Sequence, residues 1–165
     1  MQYQKWYTQI SAPFRGEAVQ RVINMLDRGL VYLIAAAYII TLIYLFATGD
    51  LRFWRMLVIP GGVFVLVTAV RMAVNEPRPY EEFDIDPIIK KQTVGESMPS
   101  RHVASAVIIA CAFSWLNPIA GIAAFIGSVI VAFTRIIGGV HYPRDIVVSF
   151  VVALVFAFIG FVLIP

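Results

Sequence analysis

Apolar positions gather into five long stretches, Leu30–Thr48, Met56–Val74, Pro99–Leu116, Pro118–Ile137 and Ile146–Ile164. Each approaches the roughly 20 residues that a helix needs to cross a bilayer. Asn117-Pro118 alone divides the third stretch from the fourth and predicts a tight turn between antiparallel helices. Pro60-Gly61-Gly62 predicts a kink or a loosened start to the second. Upstream, Phe14, Ala18, Val22, Met25 and Leu26 recur at helical spacing with Arg15, Glu17, Arg21 and Asp27 between them. Residues Ala12 to Arg28 therefore predict an amphipathic helix lying in the membrane interface, within an interfacial N-terminal segment 1–29. A partly ordered surface tail is the plainer alternative. Asn75 to Met98 is the long polar connection, residues 75–98, and reads as a solvated extramembrane loop. Its carboxylates, Glu76, Glu81, Glu82, Asp84, Asp86 and Glu96, could bind a divalent cation accompanying a phosphate substrate, although no ligand spacing supports such a site.

Composition turns this pattern into a fold class. Hydrophobic residues make up 60% of the 165 and charged residues 14%, whereas average soluble chains are about 45–50% apolar even with glycine counted. The expectation is an all-α polytopic membrane helix bundle. It has about five transmembrane helices plus the N-terminal interfacial helix, in a single domain 1–165. The net charge of +3 comes without a Lys/Arg-rich run, so the partner it predicts is the lipid bilayer and not nucleic acid. Cys111 is the lone cysteine, which excludes an intrachain disulfide, and it reads as a small buried hydrophobe. The first residues lack the basic-then-apolar order of a cleaved signal peptide, leaving the first span to supply targeting.

Alternation of five spans has a chemical consequence. Arg71 and Arg78, Ser100 and His102, and Arg135, His141 and Asp145 all fall on one face of the membrane. Ionisable groups are costly in a bilayer and mark function when they cluster there. The opposite face carries Arg52 and Arg55 against Asp50 in a short loop. The positive-inside rule makes that side cytoplasmic and the charged cluster extracytoplasmic, in a multi-pass protein of the cytoplasmic (cell) membrane.

The charged groups suit a phosphate. Arg71 and Arg78 are seven residues apart, and two adjacent guanidiniums repel unless an anion joins them. They read equally as interface arginines that snorkel. Pro99 suits a first helical turn, which would leave the N–H groups of Ser100, Arg101 and His102 as free donors at a positive dipole end. Gly138-Gly139 lets the chain turn after Arg135, and Pro143 restarts helix. Asp145, in that new first turn, can reach back to one nitrogen of His141 and leave the other free to attack. A purely structural His–Asp pair is the alternative. The two histidines could also ligate a metal, but the surrounding arginines repel a cation.

Together these pieces resemble the type 2 phosphatidic acid phosphatase superfamily, membrane lipid phosphatases whose active site is related to that of vanadium haloperoxidases. The family pattern is Lys-x6-Arg-Pro, Pro-Ser-Gly-His and Ser-Arg-x5-His-x3-Asp. This chain reads Arg71-x6-Arg78-Pro79, Pro99-Ser100-Arg101-His102 and Thr134-Arg135-x5-His141-x3-Asp145. The resemblance implies that His141 is the nucleophile of a phosphohistidine intermediate, oriented by Asp145, and that His102 protonates the leaving oxygen. It implies that Arg71, Arg78, Ser100 and Arg135 hold the phosphoryl oxygens, with the backbone near Arg101. No metal and no cofactor is called for. Arg71 in place of lysine turns a point donor into a fork, and Thr134 for serine is mild. Arg101 in place of glycine adds a cation beside the site, where it either meets a second phosphate or points to solvent.

The expected substrate is a membrane lipid phosphate: phosphatidic acid, phosphatidylglycerol phosphate or an isoprenoid diphosphate. Small size and five spans resemble bacterial undecaprenyl diphosphate phosphatases. Two other classes compete, a vanadate-dependent haloperoxidase and a non-catalytic transporter or binding protein for anions or lipid phosphates.

Overall fold

The structure is a computed structural model and describes residues 2–164. It opens with helix α1, Gln2–Ser11, followed by a single tight 3-10 turn at Ala12–Phe14. Helix α2 then runs unbroken from Glu17 to Ala47. The stretch Ala12–Arg28 is therefore not a separate interfacial helix, as its pattern predicts, and most of it forms the first three turns of the first span. At 1.5 Å per residue, 31 residues make a rod about 46 Å long. This exceeds the roughly 30 Å hydrocarbon core, so the extra turns project beyond it. Ala18, Val22 and Met25 on the apolar face of these turns stay exposed, whereas Ile23 turns inward. Ile23 packs with Ile88, Ile89, Ile137 and Val140, while Arg15 pairs with Asp86 at 2.7 Å.

Helix α3, Arg52–Val74, returns across the bundle. Pro60 lies inside it and does not interrupt it. A proline lacks the N–H that would bond the carbonyl four residues earlier, and here that carbonyl, on Met56, accepts from the Tyr38 hydroxyl of α2 at 2.6 Å. The expected weak point is thus repaired from a neighbouring helix. Replacing Tyr38 by phenylalanine leaves the Met56 carbonyl unsatisfied and should cost about 1–3 kcal/mol of stability. Detergent-solubilised protein should show this as a lowered unfolding midpoint, and an unchanged midpoint would mean that the repair carries no energy.

Asn75 caps α3 in the left-handed region, φ 44°, its N–H donating to the Arg71 carbonyl at 2.8 Å. A short helix α4, Pro79–Glu82, sits in the connection that follows. Helix α5, Arg101–Leu116, is the axis of the bundle, packed against α2 and α3 and also against α6, Pro118–Ile137, and α7, Pro143–Phe158. Being apolar all round, α5 is buried all round. Val103, Ala104, Val107, Ala110 and Ala112 are almost wholly covered, and the alanines let neighbouring helices approach closely. Asn117 caps α6 by accepting from the N–H groups of Ile119 and Ala120 at 2.9 and 3.1 Å. A wide final turn at Ile159–Leu163 closes α7.

Four of these helices are long and apolar enough to cross a membrane, and α5 is a shorter apolar helix among them. Large apolar side chains such as Tyr32, Leu33, Ile40 and Phe46 stay exposed on the outside of α2, as a lipid-facing surface requires. The chain is thus a multi-pass all-α bundle. One end carries Asp50, Arg52 and the Asn117 turn. The other carries α1, the 75–100 connection and the turn before α7.

That polar connection is docked and not simply solvated. Ile88 and Ile89 are buried, and Gln4 of α1 donates to the Asp84 carbonyl. Glu76 pairs with Arg144, Glu82 with the Tyr142 hydroxyl and Glu96 with Arg71, while Glu81 accepts from the Gly95 N–H within the connection itself. Among the described residues no cluster of three or more His, Cys, Asp or Glu side chains forms. These acids hold the connection over the end of the bundle.

Candidate active site

Beneath that cover lies a cavity of about 300 Å³ whose walls include Arg71, Arg78, Lys91, Glu96, Arg101, His102, Arg135 and His141. Residues from α3, α5, α6 and two connections thus converge, as span alternation predicts.

His141 owes its position to the turn after α6. Gly139 has φ 73°, and a side chain there would come within 2.7 Å of the buried Tyr7 hydroxyl. Tyr7 itself donates to the Ile137 carbonyl at 3.0 Å and accepts from the Ile88 N–H at 3.4 Å. Helix α1 therefore clamps the turn that presents His141. On the other side Asp145, in the first turn of α7, holds three groups with one oxygen. Its Oδ2 accepts from the Ser97 hydroxyl at 2.6 Å and from the Tyr142 N–H at 3.0 Å, and it lies 3.3 Å from His141 Nδ1. A carboxylate facing Nδ1 favours the proton on that nitrogen, which leaves the Nε2 lone pair free. Burial outweighs Asp145 and holds the His141 pKa below the usual imidazole value, helped by the nearby Arg78 and Arg135 cations. The free ring is therefore neutral at pH 7, with a lone pair available on Nε2.

Sequence reasoning missed Ser97. It is fully buried, and its hydroxyl fixes the carboxylate that fixes the histidine. Nothing in its surroundings in sequence distinguishes it from any other loop serine.

The arginines are individually anchored. Arg78 donates from Nε to the Gly95 carbonyl at 3.0 Å and from Nη1 to the Val140 carbonyl at 3.3 Å. Arg71 donates from Nη1 to the Pro99 carbonyl at 3.1 Å, and its buried Nε has no partner. Arg135 is held by an unforeseen residue. Asp27 of α2 places Oδ1 2.8 Å from Arg135 Nε, both side chains being only 2% exposed. Thr134 also donates to that oxygen at 3.4 Å. The other face of the guanidinium, Nη1, is buried without a partner. Unsatisfied buried donors are rare, and these line a cavity of anion size.

Around α5 one expectation changes. Ser100 precedes the helix in extended conformation, and its N–H is taken by the Ser149 hydroxyl of α7 at 2.8 Å. It is not a free donor, because α7 crosses close behind it. The Ser100 hydroxyl is buried and unpartnered, but Ser100 is not among the residues lining the cavity. Arg101 lines the cavity with its guanidinium 5.6 Å from the Phe64 ring. His102 faces the cavity from the first turn of α5.

An apolar groove of about 510 Å³ opens from the same place, between α2, α3 and α5. Val31, Tyr38, Pro60, Gly61, Phe64 and Ile108 line it, and Arg101 and His102 stand at its head. Gly61 has only open space where a side chain would be. The groove is apolar along its length and cationic at its head, where it meets Arg101 beside His102.

With this geometry in view, the comparisons with known proteins agree. A model of the PAP2 superfamily matches residues 29–165. The chain is 30% identical over 131 residues to undecaprenyl-diphosphatase BcrC of Bacillus subtilis (strain 168), covering 78% of this chain and 67% of that protein. The crystal structure of Aquifex aeolicus LpxE is similar with a TM-score of 0.74 at 21% identity, covering 94% of this chain and 92% of the other. That of a transmembrane PAP2-type phosphatidylglycerolphosphate phosphatase from Bacillus subtilis aligns with a TM-score of 0.60 at 20% identity, covering 94% and 90%. At such identities the two structures speak for the fold, while the match over most of the chain decides its kinship. This multi-pass membrane protein belongs to the PAP2 superfamily.

Proposed function

We propose that this chain hydrolyses the phosphate of a membrane lipid through a phosphohistidine on His141, on the extracytoplasmic side of the cell membrane. The observation that carries the reading is the joining of two spaces at His102: a cationic cavity holding both histidines, and an apolar groove open toward lipid. A hydrophobic tail in the groove would bring its headgroup to the arginines.

The chemistry follows from the residues. Arg71, Arg78 and Arg135 bind the equatorial oxygens and stabilise the charge that shifts onto them in the transition state. His141 Nε2 attacks phosphorus, forming the P–N bond as the bond to the leaving oxygen breaks, and protonated His102 gives that oxygen its proton. A water then attacks the phosphohistidine and loses a proton to His102, releasing inorganic phosphate and restoring neutral His141. Asp145 stabilises the imidazolium that develops, and Ser97 keeps Asp145 in register. The reading needs no metal.

Undecaprenyl diphosphate, phosphatidic acid and phosphatidylglycerol phosphate all combine a phosphate with a long tail. The relative named as an undecaprenyl-diphosphatase favours the first. Phosphate release from a panel of these lipids, in detergent containing EDTA, tests the reading. Gly61→Leu should fill the groove and lower kcat/KM for a long-chain lipid by about tenfold, the worth of a few displaced methylenes. A short-chain phosphate should be affected much less. Equal loss on both would place the tail elsewhere. Vanadate-dependent halide oxidation without phosphate release would favour the haloperoxidase class, and lipid binding without turnover a transporter.

A further inference from the structure

A second, smaller cavity of about 200 Å³ adjoins the phosphoryl site, with His102 in the walls of both. Its walls include Asp27, Arg28, Tyr32, Lys91, His102 and Arg135. His102, Lys91 and Arg135 line both cavities, whereas His141 lines only the first. From this arrangement we infer a second anion subsite, built by Lys91 and Arg28, that takes the inner phosphate of a lipid diphosphate while the outer phosphate lies against His141. The inference rests on the proposed phosphatase reading and narrows its substrate to diphosphates.

The charges support it. Lys91, Arg28 and Arg135 face this space against one carboxylate, Asp27, which is already committed to Arg135 Nε. Arg135 carries its unpartnered Nη1 on a side chain that is almost wholly buried. Lys91 comes from the 75–100 connection, and with no anion in place burial and Arg135, followed by Arg78 and Arg28, pull its pKa down to about 8 against the opposing pull of Asp27. Cations assembled with too little counter-charge await an anion.

The position matches the reaction. Attack by His141 Nε2 forms the P–N bond at the outer phosphorus and breaks its bond to the bridging oxygen. The electron pair stays on that oxygen, which departs as part of the lipid monophosphate, and His102 stands between the two phosphates to protonate it. The leaving monophosphate then lies among Lys91 and Arg28. The apolar groove shares His102 with both cavities and Val31 with the smaller one, so the tail continues from the inner phosphate into the groove.

Two non-hydrolysable ligands with the same prenyl tail, a phosphonate and a methylenediphosphonate, test this by calorimetric titration of the full-length protein in detergent. The wild type should bind the diphosphonate about tenfold more tightly or better, as charge-assisted contacts to one more phosphate allow. Lys91→Met combined with Arg28→Gln should bring the ratio of the two dissociation constants to within about twofold of unity. Lys91→Arg should keep it. A wild-type ratio near one, or an unchanged ratio in the double variant, overturns the subsite. An unfolded double variant would bind neither ligand, and the wild-type ratio then decides alone. Failure of the phosphatase reading itself would appear separately, as absence of phosphate release from every lipid.

Discussion

His141→Ala should reduce phosphate release to the level of a mock preparation, a loss of about 10⁴-fold or more, because the proposed covalent intermediate forms on that ring. Ser97 and Asp145 are buried behind the histidine and spend their atoms orienting it. His102→Ala should lose nearly as much, since both half-reactions pass a proton through that ring. The two variants should still differ. Without His141 no phosphoryl group reaches the protein, whereas without His102 a substrate carrying an activated leaving group, such as a nitrophenyl phosphate, should recover part of the first step. Substantial lipid phosphatase activity in His141→Ala would remove the nucleophile assignment and leave the cavity as a binding site.

The second large effect is expected at Asp27, a residue outside all of the motifs. Asp27→Asn leaves the Arg135 guanidinium buried without its counter-charge, and breaking such a pair costs about 3–5 kcal/mol. The unfolding midpoint should fall accordingly. Catalysis should respond in a more particular way. The cavity gains net positive charge, so KM for the lipid phosphate should not rise. The freed guanidinium loses its fixed direction, so kcat should drop by about 10²-fold, the usual result of misplacing a transition-state contact by an ångström. Asp27→Glu should recover part of kcat. A variant whose KM rises while kcat is kept would show Asp27 to be a structural residue only.

Asp27 also shows where the sequence could and could not be read. The five spans are visible because a bilayer demands runs of apolar residues, and the structure places a helix over each, the first of them starting thirteen residues before its apolar run. The meeting of Arg71, Arg78, His102, Arg135 and His141 is visible because alternating spans have only two ends. Lateral packing is not visible. Asp27 sits on what looks like the polar side of an amphipathic stretch, yet with Ile23 it turns inward, to Arg135, while Val22 and Met25 of the apolar side stay exposed. Periodicity separates two faces and says nothing of which residue a neighbouring helix will claim. Lys91 and Ser97 were hidden for a related reason. A polar connection reads as solvated until its acids are seen to be tied down by Arg15, Arg71, Tyr142 and Arg144. Pro60 is the converse case, where a local rule predicted weakness and Tyr38, distant in sequence, removed it.

The proposed double displacement through His141 can be tested directly. Wild-type protein is mixed with lipid phosphate labelled at its terminal phosphorus and quenched in alkali within the first turnovers, conditions under which phosphohistidine survives and phosphate esters of carboxylates do not. The labelled peptide is then identified. Covalent catalysis predicts label on the peptide containing His141, approaching one per chain when the second step is slowed, and none in His141→Ala. Rapid phosphate release by the wild type with no label on protein at any time would mean that water attacks phosphorus directly, and would contradict the role assigned to His141.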